Sequence, residues 1–135
     1  MLEDNYHEQL KKLILITDHN VTLPAEWGDY FAKQENAQPY QNDHRRFMRR
    51  NFRTECILEL EQSISAISRQ HQLYHAYTKD LSRGGIGFLH SQQLFPGERA
   101  LLWLPTAKIV VCVARCFRRN ASCYEIGAKF GDEEN

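Results

Sequence analysis

The sequence has no excess charge of either sign and no long apolar segment. Its 135 residues include 17 lysines and arginines and 17 aspartates and glutamates, so the formal net charge is zero. This balance disfavours a protein that binds nucleic-acid polymers in general, because such proteins usually carry a basic excess. The longest apolar runs, residues 13–16 and 109–114, are far too short to span a bilayer, and the acidic residues 1–5 do not resemble a signal peptide. We expect a cytoplasmic protein that does not insert into membranes.

Spacings typical of metal sites and catalytic motifs are also missing. None of the four cysteines fits a Cys-x-x-Cys zinc spacing. Cys112 and Cys116 are four residues apart on a predicted strand, about 13 Å along it, which is too far for a disulfide. The six histidines are scattered, and Ser82 lacks the Gly-x-Ser-x-Gly elbow of hydrolases. We therefore predict reduced cysteines, no metal site, no cofactor and no enzymatic activity.

The composition that remains is globular, with 42% apolar and 25% charged residues in a chain of one-domain length. Residues 2–16 carry apolar side chains at steps of three and four, which predicts a helix. A second helix is expected to begin at Pro24, with Trp27, Tyr30 and Phe31 on one face. The polar residues 34–43 then form a linker.

From residue 52 the apolar period changes from helical to two, which predicts strands. The first, residues 52–61, has one apolar face that contains Cys56, Leu58 and Leu60. Further strands are predicted at residues 64–67, 72–79, 86–90, 98–104, 107–118 and 122–130. Short strands separated by turn signals indicate a small antiparallel barrel.

Two polar stretches interrupt this pattern. Asp80 and Ser82 lie two residues apart at the end of a predicted strand, so they share one face. Two glycines follow, and glycine permits a ligand to approach the backbone closely. The second stretch, residues 44–53, holds five arginines and ends where the strands begin. Arginine presents a planar fork of donors that matches phosphate oxygens and guanine edges.

The order of these two motifs resembles the PilZ family, the bacterial receptors for cyclic di-GMP. Arg45 and Arg49 match the family's Arg-x-x-x-Arg pair, and Asp80, Ser82 and Gly85 match its Asp-x-Ser-x-x-Gly turn. The resemblance continues downstream in three segments: residues 94–98, 113–115 and 124–130.

The resemblance implies a mainly β fold, a small six-stranded antiparallel barrel formed by residues 44–135. Residues 1–43 are then a helical extension and linker. It also implies a receptor whose arginine loop is mobile without cyclic di-GMP and closes onto the barrel when the ligand binds. A downstream effector protein would read the new surface.

The residue types suit a ligand with two phosphates and two guanines. Arg45 and Arg49 are expected to pair with phosphate or guanine O6 and N7, or to stack on a guanine face. Asp80, an acceptor-only carboxylate, suits the N1–H and N2–H₂ edge of guanine, with Ser82 beside it. Gly85 is expected to adopt a positive φ that lets the turn form and keeps the base pocket open.

The register of the arginine pair has alternatives, since Arg46 with Arg50 and Arg49 with Arg53 have the same spacing. Phe52 is the reference point for the register, because its ring is expected to point inward at the start of the first strand. Counted back from Phe52, the family's pattern favours Arg45 with Arg49. Arg46 and Arg50 remain additional candidate ligand-binding residues.

Two other functions compete with this prediction. A PilZ-like adaptor would dock a partner of the motility, pilus or exopolysaccharide machinery without binding nucleotide, but both motifs are intact. A barrel that binds single-stranded nucleic acid would need stacking aromatic residues among basic ones. Phe47 and Phe52 are too few for that.

Overall fold

The N-terminal apolar stripe forms the predicted helix, α1, in the computed structural model, which describes residues 2–32, 50–62 and 72–131. α1 runs over Leu2–Ile16. The prediction of a second regular helix from Pro24 is wrong, because two short 3₁₀ helices, Ala25–Trp27 and Tyr30–Ala32, follow instead. Gly28 separates them with a φ of 63°, a left-handed conformation that interrupts a right-handed helix.

Within the described residues seven strands follow, at or near the predicted positions. Their bounds are β1 Arg50–Asn51, β2 Glu55–Gln62, β3 Gln72–Leu81, β4 Gly85–His90, β5 Arg99–Trp103, β6 Lys108–Asn120 and β7 Cys123–Phe130. The linker predicted at residues 34–43 and the strand predicted at residues 64–67 lie outside the described residues.

The strands close into the predicted six-stranded antiparallel barrel, which is confirmed. Around the barrel the order is β3, β2, β5, β6, β7 and β4, and β4 pairs with β3 to close the ring. All of these pairings are antiparallel. The short β1 is a seventh strand that pairs with the end of β3.

The single strand predicted from residue 52 is interrupted by the side chain of Thr78. The Thr78 hydroxyl donates to the carbonyl of Phe52, and its oxygen accepts from the backbone N–H of Thr54 over 2.9 Å. This inserted hydroxyl separates β1 from β2, although both lie along the same edge of β3. Phe52 packs against the barrel core, on the inner side as predicted.

The barrel interior is filled by the inward side chains of β2 to β7. Cys56, Leu58 and Leu60 are buried as the period of two predicts. The rest of this core consists of Ala76, Ile86, Phe88, Leu94, Ala100, Leu102, Leu104, Val111, Val113, Ile126 and Ala128. Such burial of apolar surface is the main favourable contribution to folding.

The N-terminal segment covers part of the outer wall. Val21 and Tyr30 form a second buried cluster with Leu89 and Cys123. Ile57 lies on the face of β2 that the period of two predicts to be exposed to solvent, yet it is fully buried. The pattern does not predict this burial because it comes from α1, which packs against β2. Burial of the outer wall therefore depends on the extension, which the strand pattern alone does not contain.

Candidate functional site

The Asp-x-Ser-x-x-Gly motif forms the hairpin between β3 and β4. Asp80 is the second-last residue of β3, and Gly85 is the first residue of β4. The backbone N–H of Ser82 donates to the carbonyl of Gly85 over 3.0 Å, and Ser82 Oγ lies 3.5 Å from the same oxygen. The motif is therefore both a turn and a polar end of the barrel wall.

A β-bulge aims Asp80 outward. Thr78 pairs with the core residue Phe88, but the register then shifts and Asp80 pairs with Gly87. Gly87 lies between two core residues of β4, so it faces the outer surface. In a regular strand without this bulge, Asp80 would be two residues beyond Thr78 and would share its inward face.

The carboxylate of Asp80 lies directly over Gly87. A Cβ added to Gly87 would be 2.5 Å from Asp80 Oδ1, so only glycine leaves room for this side chain. Lys79 Nζ lies 3.4 Å from Asp80 Oδ2, and the Asp80 side chain is 15% exposed. The carboxylate is thus held on the outer face of the barrel, largely shielded from solvent, with a cation at one side.

The strip of backbone beside Asp80 continues onto β7 and β6. Gly87 pairs with Gly127, and Gly127 pairs with Arg115. A Cβ added to Gly127 would be 2.9 Å from the guanidinium carbon of Arg115. We call Gly87 and Gly127 the glycine floor; an acid overlies one end and an arginine overlies the other.

Arg115 is a candidate that the motif comparison missed. A second bulge, between Val113 and Arg115 on β6, turns Arg115 to the outer face. The available sequence signal was Gly127, since a glycine inside a strand pattern often marks a place where another group comes close.

The arginine stretch enters the barrel next to the hairpin. Arg50 pairs with Leu81, and Asn51 pairs with Asp80. Because paired residues share a face, Arg50 is on the face of Leu81 and Asn51 is on the face of Asp80. Arg50 is exposed. The other predicted arginines, Arg45, Arg46 and Arg49, lie outside the described residues.

Gly85 is required for a reason different from the predicted one. Among the described glycines, only Gly28 and Gly97 have a positive φ, so the expected left-handed conformation at Gly85 is wrong. A Cβ added to Gly85 would instead be 2.2 Å from the carbonyl oxygen of Ala128. Gly85 permits the close approach of β4 to β7.

A polar pocket of about 320 Å³ lies beside this site, between the barrel and the N-terminal segment. It is lined by Glu26, Trp27, Arg53, Lys79 and Arg119. Lys79 joins it to Asp80, while Glu125 contacts both Lys79 at 3.3 Å and Arg119 at 2.5 Å. The pocket combines cations with the indole of Trp27, and motif reading missed it because its two walls are far apart in sequence.

Tyr30 fixes the wall of the pocket to the barrel. Its hydroxyl donates to the carbonyl of Thr78 over 2.6 Å, and the Arg53 guanidinium lies 4.3 Å from its ring centroid. Burial raises the pKa of Tyr30 well above its ordinary value, an effect that the charge of Arg53 partly opposes. The neighbouring thiol of Cys123 has its pKa raised to about 11, first by burial and then by Glu125. Both groups are therefore neutral at physiological pH.

Comparison with known proteins adds one match. A family model described as the PilZ domain matches residues 43–135. No curated protein matches the sequence. No helix among the described residues is long and apolar enough to cross a membrane.

Proposed function

The chain belongs to the PilZ family, and we propose that it binds cyclic di-GMP and signals to a partner protein. The family is in general one of cyclic di-GMP receptors, although some PilZ domains lack binding, and it is a family of binding and adaptor domains with no known enzymes. We propose cyclic di-GMP as the specific ligand of this chain and a partner protein as its effector.

The pairing of β1 with β3 is the observation that supports binding most strongly. It places Asn51 opposite Asp80 and Arg50 opposite Leu81, so the arginine stretch ends beside the hairpin motif. The two motifs are about thirty residues apart in sequence, and the formation of a barrel does not by itself bring them together. This adjacency supports a ligand that contacts both motifs at this end of the barrel.

The chemistry of the outer face fits guanine together with phosphate. Asp80 offers carboxylate oxygens to N1–H and N2–H₂ of guanine, and the glycine floor leaves room for the side chains of Asp80 and Arg115 that lie over it. Arg115, at the other end, can pair with phosphate or with guanine O6 and N7. Arg45 and Arg49 are proposed to complete the site, with Ser82 beside Asp80 and with Arg46 and Arg50 as additional candidates.

A calorimetric titration of the purified chain with cyclic di-GMP tests the proposal, with cyclic di-AMP, GTP and GMP as competitors. We expect saturable binding that prefers cyclic di-GMP, because adenine lacks the N2 donor that Asp80 recognises. Arg45→Ala and Arg49→Ala should each weaken binding by about 10- to 100-fold, the equivalent of one charge-assisted hydrogen bond. Arg99→Ala, an exposed arginine on β5, is the matched control.

The same titration separates the alternatives. If Arg46→Ala and Arg50→Ala are the damaging pair, the register of the first motif is shifted by one residue. If neither heat nor chemical-shift changes accompany a large excess of ligand, the proposal fails and the chain is an adaptor that does not bind nucleotide.

A further inference from the structure

Three side chains from separate parts of the chain meet on the outer wall, outside both PilZ motifs. His19 follows α1, Glu55 begins β2 and His75 lies within β3. The two imidazoles stack with their centroids 3.6 Å apart, and His75 Nε2 lies 3.0 Å from Glu55 Oε2. One potential ligand atom from each residue lies within 4.8 Å of the other two.

We propose that His19, Glu55 and His75 form a binding site for a divalent transition-metal ion of the Zn²⁺ class. Two imidazole nitrogens and one carboxylate oxygen are donors that this class prefers, whereas Mg²⁺ and Ca²⁺ favour sites built of oxygen. Ligand atoms of a tetrahedral Zn²⁺ are about 3.4 Å apart, from metal–ligand distances of about 2.1 Å. The two rings stack nearly parallel, so the exposed ring of His19 must turn before its nitrogen lone pair and that of His75 point at one ion. One coordination position is then left for water.

The hydrogen bonding of His19 suits a metal ligand. His19 Nε2 lies 2.9 Å from the carbonyl oxygen of Ile14, so this nitrogen carries the proton and donates it. The lone pair is then on Nδ1. Metal-binding histidines commonly donate their second ring N–H to a carbonyl in this way, which fixes the tautomer and the ring orientation.

His75 supplies the buried side of the site. Its side chain has no exposed area, and Nδ1 makes no hydrogen bond within the part of the chain that the structure describes. Without a metal, His75 Nε2 donates its proton to the carboxylate of Glu55. Because no hydrogen bond from a described residue at Nδ1 opposes a change of tautomer, the proton can move to Nδ1, and Nε2 then presents its lone pair to a metal. A buried N–H without an acceptor is costly, so we expect the affinity to be weaker than that of closed structural zinc sites, on the order of micromolar.

The site exists only when the N-terminal segment lies on the barrel. His19 precedes the residues that cover the outer wall, Val21 and Tyr30, whereas Glu55 and His75 belong to the barrel. A bound ion would tie these two parts together and stabilise the folded state, because the unfolded chain has no preformed site. The sequence predicts no metal site because the ligands are not close in sequence. The inference is independent of nucleotide binding.

The experiment is a titration of the chelator-treated, fully reduced protein with zinc chloride, followed by calorimetry and a thermal melt. We expect one equivalent to bind with micromolar affinity and to raise the melting temperature, and magnesium chloride to do neither. His19→Ala removes an exposed ligand and should fold normally. Glu55→Gln keeps a polar group of the same size. Each should weaken zinc binding by at least about tenfold, which is no less than the loss of an outer-shell partner.

His7→Ala is the matched control, because His7 is an exposed histidine on α1 outside the cluster; its zinc affinity should equal that of the unsubstituted chain. Cobalt chloride distinguishes this site from the cysteines, since nitrogen and oxygen ligation gives visible bands without the thiolate charge-transfer band. Absence of zinc binding, full affinity in His19→Ala, or a thiolate band in the cobalt spectrum would each overturn the proposal.

Discussion

At the residue scale, the outer face is defined by which side chains overlie which glycines. Asp80 overlies Gly87 and Arg115 overlies Gly127, so a substitution at either polar residue changes the surface and not the core. Gly85 is different, because its neighbour is the backbone of Ala128. Ligand contacts and fold determinants therefore respond differently to substitution.

Asp80→Ala should lower the affinity for cyclic di-GMP by about 10- to 100-fold, since one charge-assisted hydrogen bond is worth about 1.5–3 kcal/mol. The melting temperature should change little, because the side chain lies on the outer face and outside the apolar core. A titration and a thermal melt of each variant check this, with the exposed turn residue Arg83→Ala as control. Unchanged affinity in Asp80→Ala would remove the base-reading role.

Gly85→Ala should lower the free energy of unfolding by about 1–3 kcal/mol, the usual cost of forcing an extra carbon into a filled site. The added Cβ can be accommodated only if β4 moves away from the carbonyl of Ala128. Urea denaturation measures the change, and Gly84→Ala, at an exposed neighbour without a positive φ, is the control. Equal stability of the two variants would contradict the close-approach explanation.

Arg115→Ala should weaken cyclic di-GMP binding by about tenfold, as loss of a partly solvated arginine contact predicts, without lowering stability. Its effect is to be compared with that of Arg99→Ala by calorimetry. If both variants bind as the unsubstituted chain does, the glycine floor does not extend the ligand site as far as β6.

At the scale of the secondary-structure element, the link between β1 and β2 depends on one hydroxyl. Thr78 bonds the backbone of Phe52 and of Thr54 from within the wall, and Tyr30 bonds the carbonyl of Thr78 from outside. The position of β1, and with it the end of the arginine stretch, is therefore set by β3 rather than by a continuous strand.

Thr78→Val keeps the shape of the side chain but leaves the Thr54 N–H, which makes a partly buried hydrogen bond, without its partner. It should lower the free energy of unfolding by about 1–3 kcal/mol, and it should also weaken cyclic di-GMP binding, because β1 is no longer held beside Asp80. Urea denaturation and calorimetry are compared with those of Thr106→Val, an exposed position between β5 and β6. A stable variant with full affinity would show that β1 is held by other contacts.

At the scale of the whole molecule, a neutral chain concentrates cationic side chains around one pocket and in the sequence stretch 44–53. The proposed dianionic ligand therefore meets local positive charge, although the net charge is zero. Binding at such a surface is expected to weaken as salt screens the charges.

Cyclic di-GMP at a hundred times its dissociation constant should raise the free energy of unfolding by about 2.7 kcal/mol. Thermal melts at low and high sodium chloride, at a fixed ligand concentration, measure how much the bound ligand stabilises the folded protein. The rise should be smaller in high salt and absent with cyclic di-AMP. An equal rise with both dinucleotides would contradict guanine recognition.

The sequence alone indicated antiparallel strands with one covered face, because a period of two with one apolar face is stable only when that face is buried. The resemblance to the PilZ family implied the six-stranded barrel that these strands form. The sequence also located the hairpin, since its polar residues and glycines are adjacent in the chain. Tertiary structure decided which way those residues face. The bulges before Asp80 and Arg115 shift the register, and a single extra residue reverses the face of a strand without changing composition.

The same reason explains what sequence reading missed. Each missed feature joins residues from different elements: the contact of Gly85 with Ala128, the glycine floor, the pocket and the His19–Glu55–His75 cluster. Whether these residues meet depends on strand register and on packing of the N-terminal segment. Local patterns determine which residues form a strand or a turn. Contacts between distant residues are decided only when the wall closes and the segment packs against it.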